Sequence, residues 1–322
     1  MKRRFISIIL VLLVIASIIS GCGSTKKEDV YISIATGGTG GTYYPLGGAL
    51  AKVFNDNVEG VNANVQSTGA SVENVGLVAN GEAEIAFIQN DITYYALTGT
   101  ENFEGKDKIT NLRGMAMWYP EVVQIIATES SGIETIEDLR GKKVAIGAPG
   151  SGVEANARQI LGVHGMTYDD LGKADYLSFN EAADQIKDNQ IDAAFVTAGL
   201  PTSAITELGQ TAKIVLVPID SQKIAELNEE FPFYTEVVIP ADTYGGQDRD
   251  VAAAAVMAMI VVPEELDEDL VYNMTKQMFE QKQVIVDTHS RGNDLSLETA
   301  LSGMPVELHS GAKRYYDEKG VK

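Results

Sequence analysis

The sequence is poor in the side chains from which most catalytic and metal centres are built. It has one cysteine and three histidines among its 322 residues. A single cysteine can form no internal disulfide, and His164, His289 and His309 lie too far apart to show the spacing of metal ligands. Neither a His-Glu-x-x-His nor a Gly-x-Ser-x-Gly motif occurs. We therefore expect no metal, no cofactor and no enzymatic activity.

Cationic side chains are also scarce. The chain has 25 Lys and Arg residues against 45 Asp and Glu, and its net charge is −20. A protein that binds nucleic acid needs a basic surface to offset the phosphates. No run of basic residues occurs in the body of the chain, which excludes nucleic acid as a partner.

Long apolar runs are absent except at the start of the chain. Basic residues 2–4 precede an apolar stretch over residues 5–19, which is typical of a secretory signal; an uncleaved membrane anchor is the alternative. The following Ile-Ser-Gly-Cys resembles the lipobox of bacterial lipoproteins. We expect a signal peptide over residues 1–21, an acylated Cys22 that anchors the protein to the outer face of the cell membrane, and a tether over residues 22–29.

From Val30 onward, strand and helix patterns alternate, which indicates parallel βαβ units. An arrangement of strand, glycine-rich turn and helix occurs twice. Glycine-rich turns at 37–41 and 147–152 each follow a short strand and precede a helix, and the strand around Phe87 has an echo around Phe195. Similar sequence offsets between these pairs indicate two lobes of one design.

An apolar segment at residues 251–262, broken by Pro263, suits a buried strand that crosses back to the first lobe. We therefore predict an α/β fold with two lobes, a hinge and a ligand cleft between them. The first lobe comprises residues 30–120 and 256–322, and the second comprises residues 121–255. Closure of such lobes around a ligand is a common use of a hinge.

Neither glycine-rich turn completes a nucleotide motif, because Val153 and Glu154 replace the Lys and Ser/Thr of a P-loop, and Tyr43 replaces the last glycine of a dinucleotide fingerprint. Both turns suit an anion, since backbone N–H groups and a helix N-terminus meet there; the alternative is that the glycines only permit tight turns. The candidate ligand contacts in the two turns are Gly38, Thr39, Gly40, Gly41, Thr42, Tyr43, Gly150, Ser151 and Gly152.

Further candidates share a position at the end of a strand or the start of a helix. Ligands of open α/β sheets bind at the carboxyl ends of strands. Ser71 and Asn74 either cap their helix or face the cleft, and Glu121 would pair with an ammonium group. These candidates are Ser71, Asn74, Gln89, Asp91, Tyr119, Glu121, Thr197, Ala198 and Gly199.

Seven segments of the chain match a known pattern, and they are residues 36–45, 71–74, 86–89, 119–121, 147–152, 239–244 and 308–316. Together they resemble the TAXI family of solute-binding proteins, which serve tripartite ATP-independent periplasmic (TRAP) transporters. The resemblance implies a type II periplasmic-binding-protein fold, a multi-spanning permease as partner, and a ligand such as glutamate, glutamine or 2-oxoglutarate. Val153 departs from the usual Thr of the family, and Asp242 departs from its usual Gly.

We therefore expect an extracytoplasmic, lipid-anchored protein that captures a small anionic solute and delivers it to a TRAP-type permease. One alternative is an exported enzyme with the same two lobes, for which Asp91, Glu121 and Glu154 are the candidate acids or bases. Another alternative is a sensory or adhesion lipoprotein that uses the same cleft.

Overall fold

Strands and helices alternate along the part of the chain that the computed structural model describes, residues 29–322. The strands are β1 (Val30–Ala35), β2 (Val61–Gln66), β3 (Ile85–Gln89), β4 (Leu112–Thr128), β5 (Lys143–Ala145), β6 (Lys173–Asp175), β7 (Ala193–Ala198), β8 (Ile214–Val217), β9 (Thr235–Ile239) and β10 (Val251–Pro263). The helices are α1 (Tyr43–Asn57), α2 (Ser71–Ala79), α3 (Asn90–Thr98), α4 (Gly152–Val163), α5 (Phe179–Lys187), α6 (Ser203–Gly209), α7 (Ser221–Glu230), α8 (Glu268–Glu280), α9 (Lys282–Thr288) and α10 (Ser310–Lys319).

Several predictions concern residues outside the described range. The signal peptide at 1–21, the acylated Cys22 and almost all of the tether at 22–29 lie there, and they stay predictions. Within residues 29–322, no helix is both long enough and apolar enough to span a membrane.

Two long strands, β4 and β10, run through the middle of a ten-stranded sheet. They pair antiparallel from Leu112 to Val122 of β4, with two register shifts, one of which lies opposite Pro120. Proline cannot donate to a strand ladder, so an irregularity is expected at this point. The apolar segment that the sequence predicted to cross back is β10, and this prediction is confirmed.

Each half of the sheet repeats the same arrangement. In one half β1 is parallel to β3, and β3 is antiparallel to β10. In the other half β5 is parallel to β7, and β7 is antiparallel to β4. The echo between the strands around Phe87 and Phe195 is therefore confirmed, because β3 and β7 occupy corresponding places. Both strands are near-continuous apolar runs, and every residue in them is buried.

The apolar core changes along both long strands. On β4, Trp118 and Tyr119 pack with β1–β3, α1 and α8–α10, whereas Val123 and Ile125 pack with β5, β7, α4 and α7. On β10 the change occurs between Val256 and the residues that follow it. We call β1–β3, α1–α3 and α8–α10 the first lobe, and β5–β9 and α4–α7 the second lobe. The change of core supports the predicted boundaries near residues 120 and 256, which remain a proposal.

Candidate functional site

A cavity of about 60 Å³ lies between the two lobes. Its walls come from the segments that follow β1, β2, β5 and β6, from the last residues of β3 and β7, and from Glu121 in the middle of β4. It therefore sits at the carboxyl ends of strands, where α/β sheets bind ligands. Its volume exceeds the roughly 10–15 Å³ that a single water molecule needs. The lining residues are Gly37, Gly38, Gly41, Thr42, Tyr43, Thr68, Gly69, Ala70, Ser71, Gln89, Glu121, Ala148, Ser151, Gly152, Val153, Ser178, Phe179, Thr197 and Ala198.

The cavity brings together candidates from every segment that the sequence indicated, but not all candidates. Those on its wall are Gly38, Gly41, Thr42, Tyr43, Ser71, Gln89, Glu121, Ser151, Gly152, Thr197 and Ala198. Those absent from its wall are Thr39, Gly40, Asn74, Asp91, Tyr119, Gly150 and Gly199.

The first glycine-rich turn leads into α1, whose N-terminus faces the cavity. Thr42 is the N-cap residue of α1, but its side chain makes no capping hydrogen bond and instead reaches the carbonyl of Gly199 at 3.3 Å. The backbone N–H groups of Gly38 and Thr42 have no hydrogen-bond partner among residues 29–322. Free N–H groups at a helix N-terminus attract an anion, so this wall of the cavity suits a carboxylate.

Glu121 places a carboxyl group on the wall of the cavity. It lies in the middle of β4, is 2% exposed, and accepts a 2.5 Å hydrogen bond from the Tyr43 hydroxyl. Burial raises the pKa of Glu121 to about 8 and that of Tyr43 well above its ordinary value. The hydroxyl of Ser71, which accepts the Gln89 N–H at 3.2 Å, lies beside that of Tyr43. A chain of polar groups therefore forms the wall around Glu121.

Two polar atoms on the wall have no hydrogen-bond partner in the described part of the chain. They are Oε1 of Gln89 and Oγ1 of Thr197, and both are buried. A buried polar atom without a partner costs about 1–3 kcal/mol. Because a polar solute or water would remove that cost, these atoms indicate a binding site.

Asn74, a predicted ligand donor, is not among the residues that line the cavity. Its amide nitrogen donates to the carbonyls of Thr36 at 2.6 Å and Phe87 at 2.8 Å, and its amide oxygen accepts from Thr68 at 2.7 Å. These bonds use both amide hydrogens. Asn74 therefore holds the lining residue Thr68 in place, and its direct contact with a solute stays a prediction.

Gly150 is also absent from the cavity wall, because its carbonyl reaches across to the first lobe. It accepts the backbone N–H groups of Val72 and Glu73, each at 3.0 Å. These are N–H groups of the first turn of α2, which have no partner within the helix. The second glycine-rich turn therefore caps a helix of the opposite lobe.

Three more candidates join the lobes beside the cavity. The side chain of Asn180 donates to Thr39 at 3.2 Å, and the N–H of Ala204 donates to the carbonyl of Gly40 at 3.1 Å. The carbonyl of Gly199 accepts a hydrogen bond from the hydroxyl of Thr42, the N-cap residue of α1. These contacts close the edge of the cleft, and the predicted ligand contacts of the three residues stay predictions.

Asp91 and Tyr119 lie behind the wall rather than on it. Asp91 is fully buried and accepts a 3.2 Å hydrogen bond from Asn156 of the second lobe, and Asn156 also accepts from Gln89 at 3.2 Å. Burial raises the pKa of Asp91 to about 7. Tyr119 is fully buried, and burial raises its pKa well above the ordinary value. Asp91 therefore belongs to a polar network that joins the lobes.

Some lining residues were missed by the sequence predictions. Ser178 starts α5 in a capping box with Glu181, and this spacing is visible in the sequence. The spacing does not reveal that the helix begins at the cleft. The missed residues are Gly37, Thr68, Gly69, Ala70, Ala148, Val153, Ser178 and Phe179.

No group of three or more His, Cys, Asp or Glu side chains in residues 29–322 is arranged to hold a metal ion. The cavity wall itself contains one carboxyl group, that of Glu121, and no Lys, Arg or His. Polar recognition in this site therefore depends on backbone N–H groups, hydroxyls, one amide and one carboxyl.

Comparison with known proteins gives a family match and a set of similar folds. Residues 34–320 match the model of the NMT1-like family. A solved structure from Bordetella bronchiseptica RB50 has a TM-score of 0.51 at 17% identity, over 90% of this chain and 80% of that chain. A putative L-cystine ABC transporter from Listeria monocytogenes has a TM-score of 0.51 at 16% identity, over 83% and 98% of the two chains. The predicted two-lobed periplasmic-binding-protein fold is confirmed.

Proposed function

Since the chain belongs to the NMT1-like family, we propose that it is a solute-binding protein, which captures a small anionic solute outside the cytoplasm and delivers it to a membrane transporter. The main support for this proposal is the cavity between the lobes. Unpaired N–H groups of the first turn and unpaired side-chain atoms of β3 and β7 lie on its wall. A polar solute enclosed there would bond to both lobes and favour their closure.

The solute's carboxylate would lie at the N-terminus of α1. A protein of net charge −20 repels anions at long range, but salt screens that repulsion over about 8 Å. Local donors must therefore supply the attraction. The free N–H groups of Gly38 and Thr42 and the positive end of the α1 dipole supply it without any Lys or Arg.

The finer assignment to a TAXI-type subunit of a TRAP transporter belongs to the same proposal. It is supported by the position of the resembling segments, since those at 36–45, 71–74, 86–89, 119–121 and 147–152 each supply residues to the cavity wall. The proposed ligands are accordingly glutamate, glutamine or a dicarboxylate such as 2-oxoglutarate. Acylation of Cys22 and partnership with a multi-spanning permease complete the proposal.

The geometry gives less support to an enzyme. Of the three candidate acids and bases, Glu121 alone lines the cavity. Asp91 lies behind the wall. Glu154 accepts from the hydroxyl of Tyr168 at 2.8 Å and lies 3.5 Å from Arg158. No two candidate acids or bases therefore face a shared substrate position.

Native mass spectrometry of the gently purified full-length protein tests solute capture. We expect a retained small molecule that is released when the protein unfolds, and a melting temperature that rises when the same molecule is added back, because binding to the folded state alone stabilises it. Absence of any retained molecule, together with an unchanged melting temperature across a panel of amino acids and small carboxylates, would contradict the proposed function.

A further inference from the structure

Gln89 ends at the cavity wall with its amide oxygen unpaired, and a chain of hydrogen bonds behind the wall fixes that orientation. We propose that Asn156 is a positioning residue, which turns the amide oxygen of Gln89 toward the cavity and so makes the site require an N–H or O–H donor of its solute at this point. This inference rests on the proposed function and specifies the polarity that the same site demands.

Asn156 is fully buried on α4 of the second lobe, and both ends of its amide are in use. Its nitrogen donates to Oδ2 of Asp91 at 3.2 Å and to the hydroxyl of Tyr234 at 2.8 Å, which accounts for both amide hydrogens. Its oxygen accepts from Nε2 of Gln89 at 3.2 Å. A half-turn of the amide would place its oxygen opposite the carboxylate of Asp91, so one orientation is favoured.

Tyr234 is fixed as an acceptor by the residues behind it. Its hydroxyl donates to Oε1 of Gln159 at 2.5 Å, and the nitrogen of Gln159 donates to Oε2 of Glu101 at 3.3 Å. A carboxylate only accepts hydrogen bonds, and Arg158 holds this one at 2.7 Å. The chain therefore runs in one direction, from Gln89 at the cavity to a carboxylate at its far end.

Gln89 takes its orientation from the near end of this chain. Because Asn156 presents an oxygen to it, the nitrogen of Gln89 faces Asn156 and its oxygen faces away. That oxygen is buried, has no hydrogen-bond partner within residues 29–322, and lies against the lining residue Gly152, where a Cβ would collide with it. A solute N–H or O–H group would complete the missing hydrogen bond, whereas a second oxygen there would leave both unpaired.

Two acceptors hold Asn156, and one of them can change its role with pH. Burial raises the pKa of Asp91 to about 7, and a protonated Asp91 would donate to Asn156 instead of accepting from it. Tyr234 keeps the amide in place through that change. The ionisable groups that face Asp91 are acids and tyrosines, namely Glu101, Glu121, Tyr95 and Tyr234, and the cation Arg158 is paired with Glu101.

Tyr234→Phe should therefore make solute binding sensitive to pH. Among the described residues the hydroxyl bonds to Asn156 and Gln159 of its own lobe, so its loss breaks no hydrogen bond between the lobes. At high pH the ionised Asp91 still orients Asn156. As pH falls through about 7, protonated Asp91 donates to the oxygen of Asn156, the amide turns, and the nitrogen of Gln89 then faces the cavity. Affinity should fall in that direction, by at most about tenfold per pH unit.

Calorimetric titration of the full-length protein at pH 6, 7 and 8 measures this effect. The probes are L-glutamate, L-glutamine and 2-oxoglutarate, or the molecule retained on purification if none of the three binds. For the tightest probe we expect the affinity of Tyr234→Phe to be close to that of the wild type at pH 8 and about threefold to tenfold lower than that of the wild type at pH 6. Dividing by the wild-type value at each pH removes the titration of the probe and of Glu121.

Tyr168→Phe is the matched control. It also removes a hydroxyl that bonds to α4, where Tyr168 donates to Glu154 at 2.8 Å, but it does not contact Asn156. Its affinity relative to the wild type should be the same at every pH.

A double-mutant cycle separates positioning from packing. Gln89→Met removes the amide that the chain orients, so adding Tyr234→Phe to it should change affinity no further at any pH. A role confined to packing predicts the same loss with and without the amide of Gln89.

If Tyr234→Phe does not fold, Asn156→Leu provides the second test. It can neither donate nor accept, and it should weaken binding at every pH by about fivefold to a hundredfold, since the solute donor is left unpaired. The factor should be smaller when Gln89→Met is also present.

A pH-independent ratio for Tyr234→Phe, or equal losses with and without the amide of Gln89, would overturn the inference while the proposed function stands. Failure of the wild type to retain or bind any small molecule would overturn both.

Discussion

The two glycine-rich turns follow corresponding strands, β1 and β5, yet they make different contacts. The first turn leaves N–H groups of Gly38 and Thr42 free at the cavity and is followed by a helix without a side-chain cap. In the second turn, Ser151 caps its own helix by accepting from the N–H of Glu154, and the carbonyl of Gly150 caps α2 of the first lobe.

The difference shows that a repeated local motif need not have a repeated task. A strand, a glycine-rich turn and a helix place backbone groups at the cleft in both lobes. Which of those groups remain free depends on what the other lobe presents opposite them. In this molecule both turns bond to the opposite lobe, through the carbonyl of Gly40 in the first turn and the carbonyl of Gly150 in the second. The carbonyl of Gly150 caps a helix of the opposite lobe, whereas the first turn caps no helix with a side chain.

The largest expected effect comes from Gly69, where the first lobe meets the second turn. A Cβ at this position would lie 2.5 Å from the carbonyl oxygen of Pro149 and 2.6 Å from Oε2 of Glu73. The Glu73 side chain can move, but the Pro149 carbonyl can withdraw only if the lobes separate. We expect Gly69→Ala to weaken solute binding by about 1–3 kcal/mol, the usual cost of overpacking. Calorimetric titration with the retained solute measures this loss.

Gly76→Ala is the matched control, because a Cβ there has no atom within 4 Å. The affinity of this variant should stay within about twofold of the wild type, since Gly76 is a partly exposed residue of α2. Small-angle scattering at saturating solute should give a larger radius of gyration for Gly69→Ala than for the control. If the two variants bind and close alike, the second turn does not lock the lobes.

The fold was accessible from the sequence where the signal was local. The strand Ile85–Gln89 and the buried segment at 251–262 are near-continuous apolar runs, and a fully buried strand has this pattern regardless of its partners. The turns after β1 and β5 were located for a similar reason, because glycine clusters between a strand and a helix mark a strand end.

The assignment of individual site residues was less accessible, because their partners lie far away along the chain. Asn74 has the position of a ligand donor, but carbonyls of Thr36 and Phe87 use its amide hydrogens. Gly150 likewise bonds to Val72 of the opposite lobe. A sequence pattern indicates which groups can donate or accept a hydrogen bond, and only the packing of the lobes decides which partner is reached.

A second prediction contrasts one glycine from each turn. Gly150 has φ +77°, a left-handed conformation that costs other residues roughly 1–2 kcal/mol. Gly38 has no positive φ, and a Cβ there would lie 3.9 Å from Cβ of Ser178, an ordinary contact. We expect Gly150→Ala to lower the free energy of unfolding by about 1–2 kcal/mol and Gly38→Ala to change it by less than about 0.5 kcal/mol. Urea denaturation measures both values, and equal values would contradict the contrast.

The smallest expected effect concerns the two residues that precede α1 and α4. Ser151 accepts a long capping hydrogen bond from the N–H of Glu154, at 3.4 Å. Ser151→Ala should therefore lower the free energy of unfolding by about 0.5–1 kcal/mol, the low end for a lost N-cap.

Thr42 makes no capping bond, and its hydroxyl instead reaches the carbonyl of Gly199 across the cleft. We therefore expect Thr42→Ala to leave the free energy of unfolding within about 0.5 kcal/mol of the wild type while weakening solute binding, since the lost bond forms only when the lobes are closed. Denaturation and calorimetric titration of both variants check the two expectations. A loss of stability in Thr42→Ala equal to that in Ser151→Ala would show that both turns cap their helices alike, and the division of tasks between them would then be wrong.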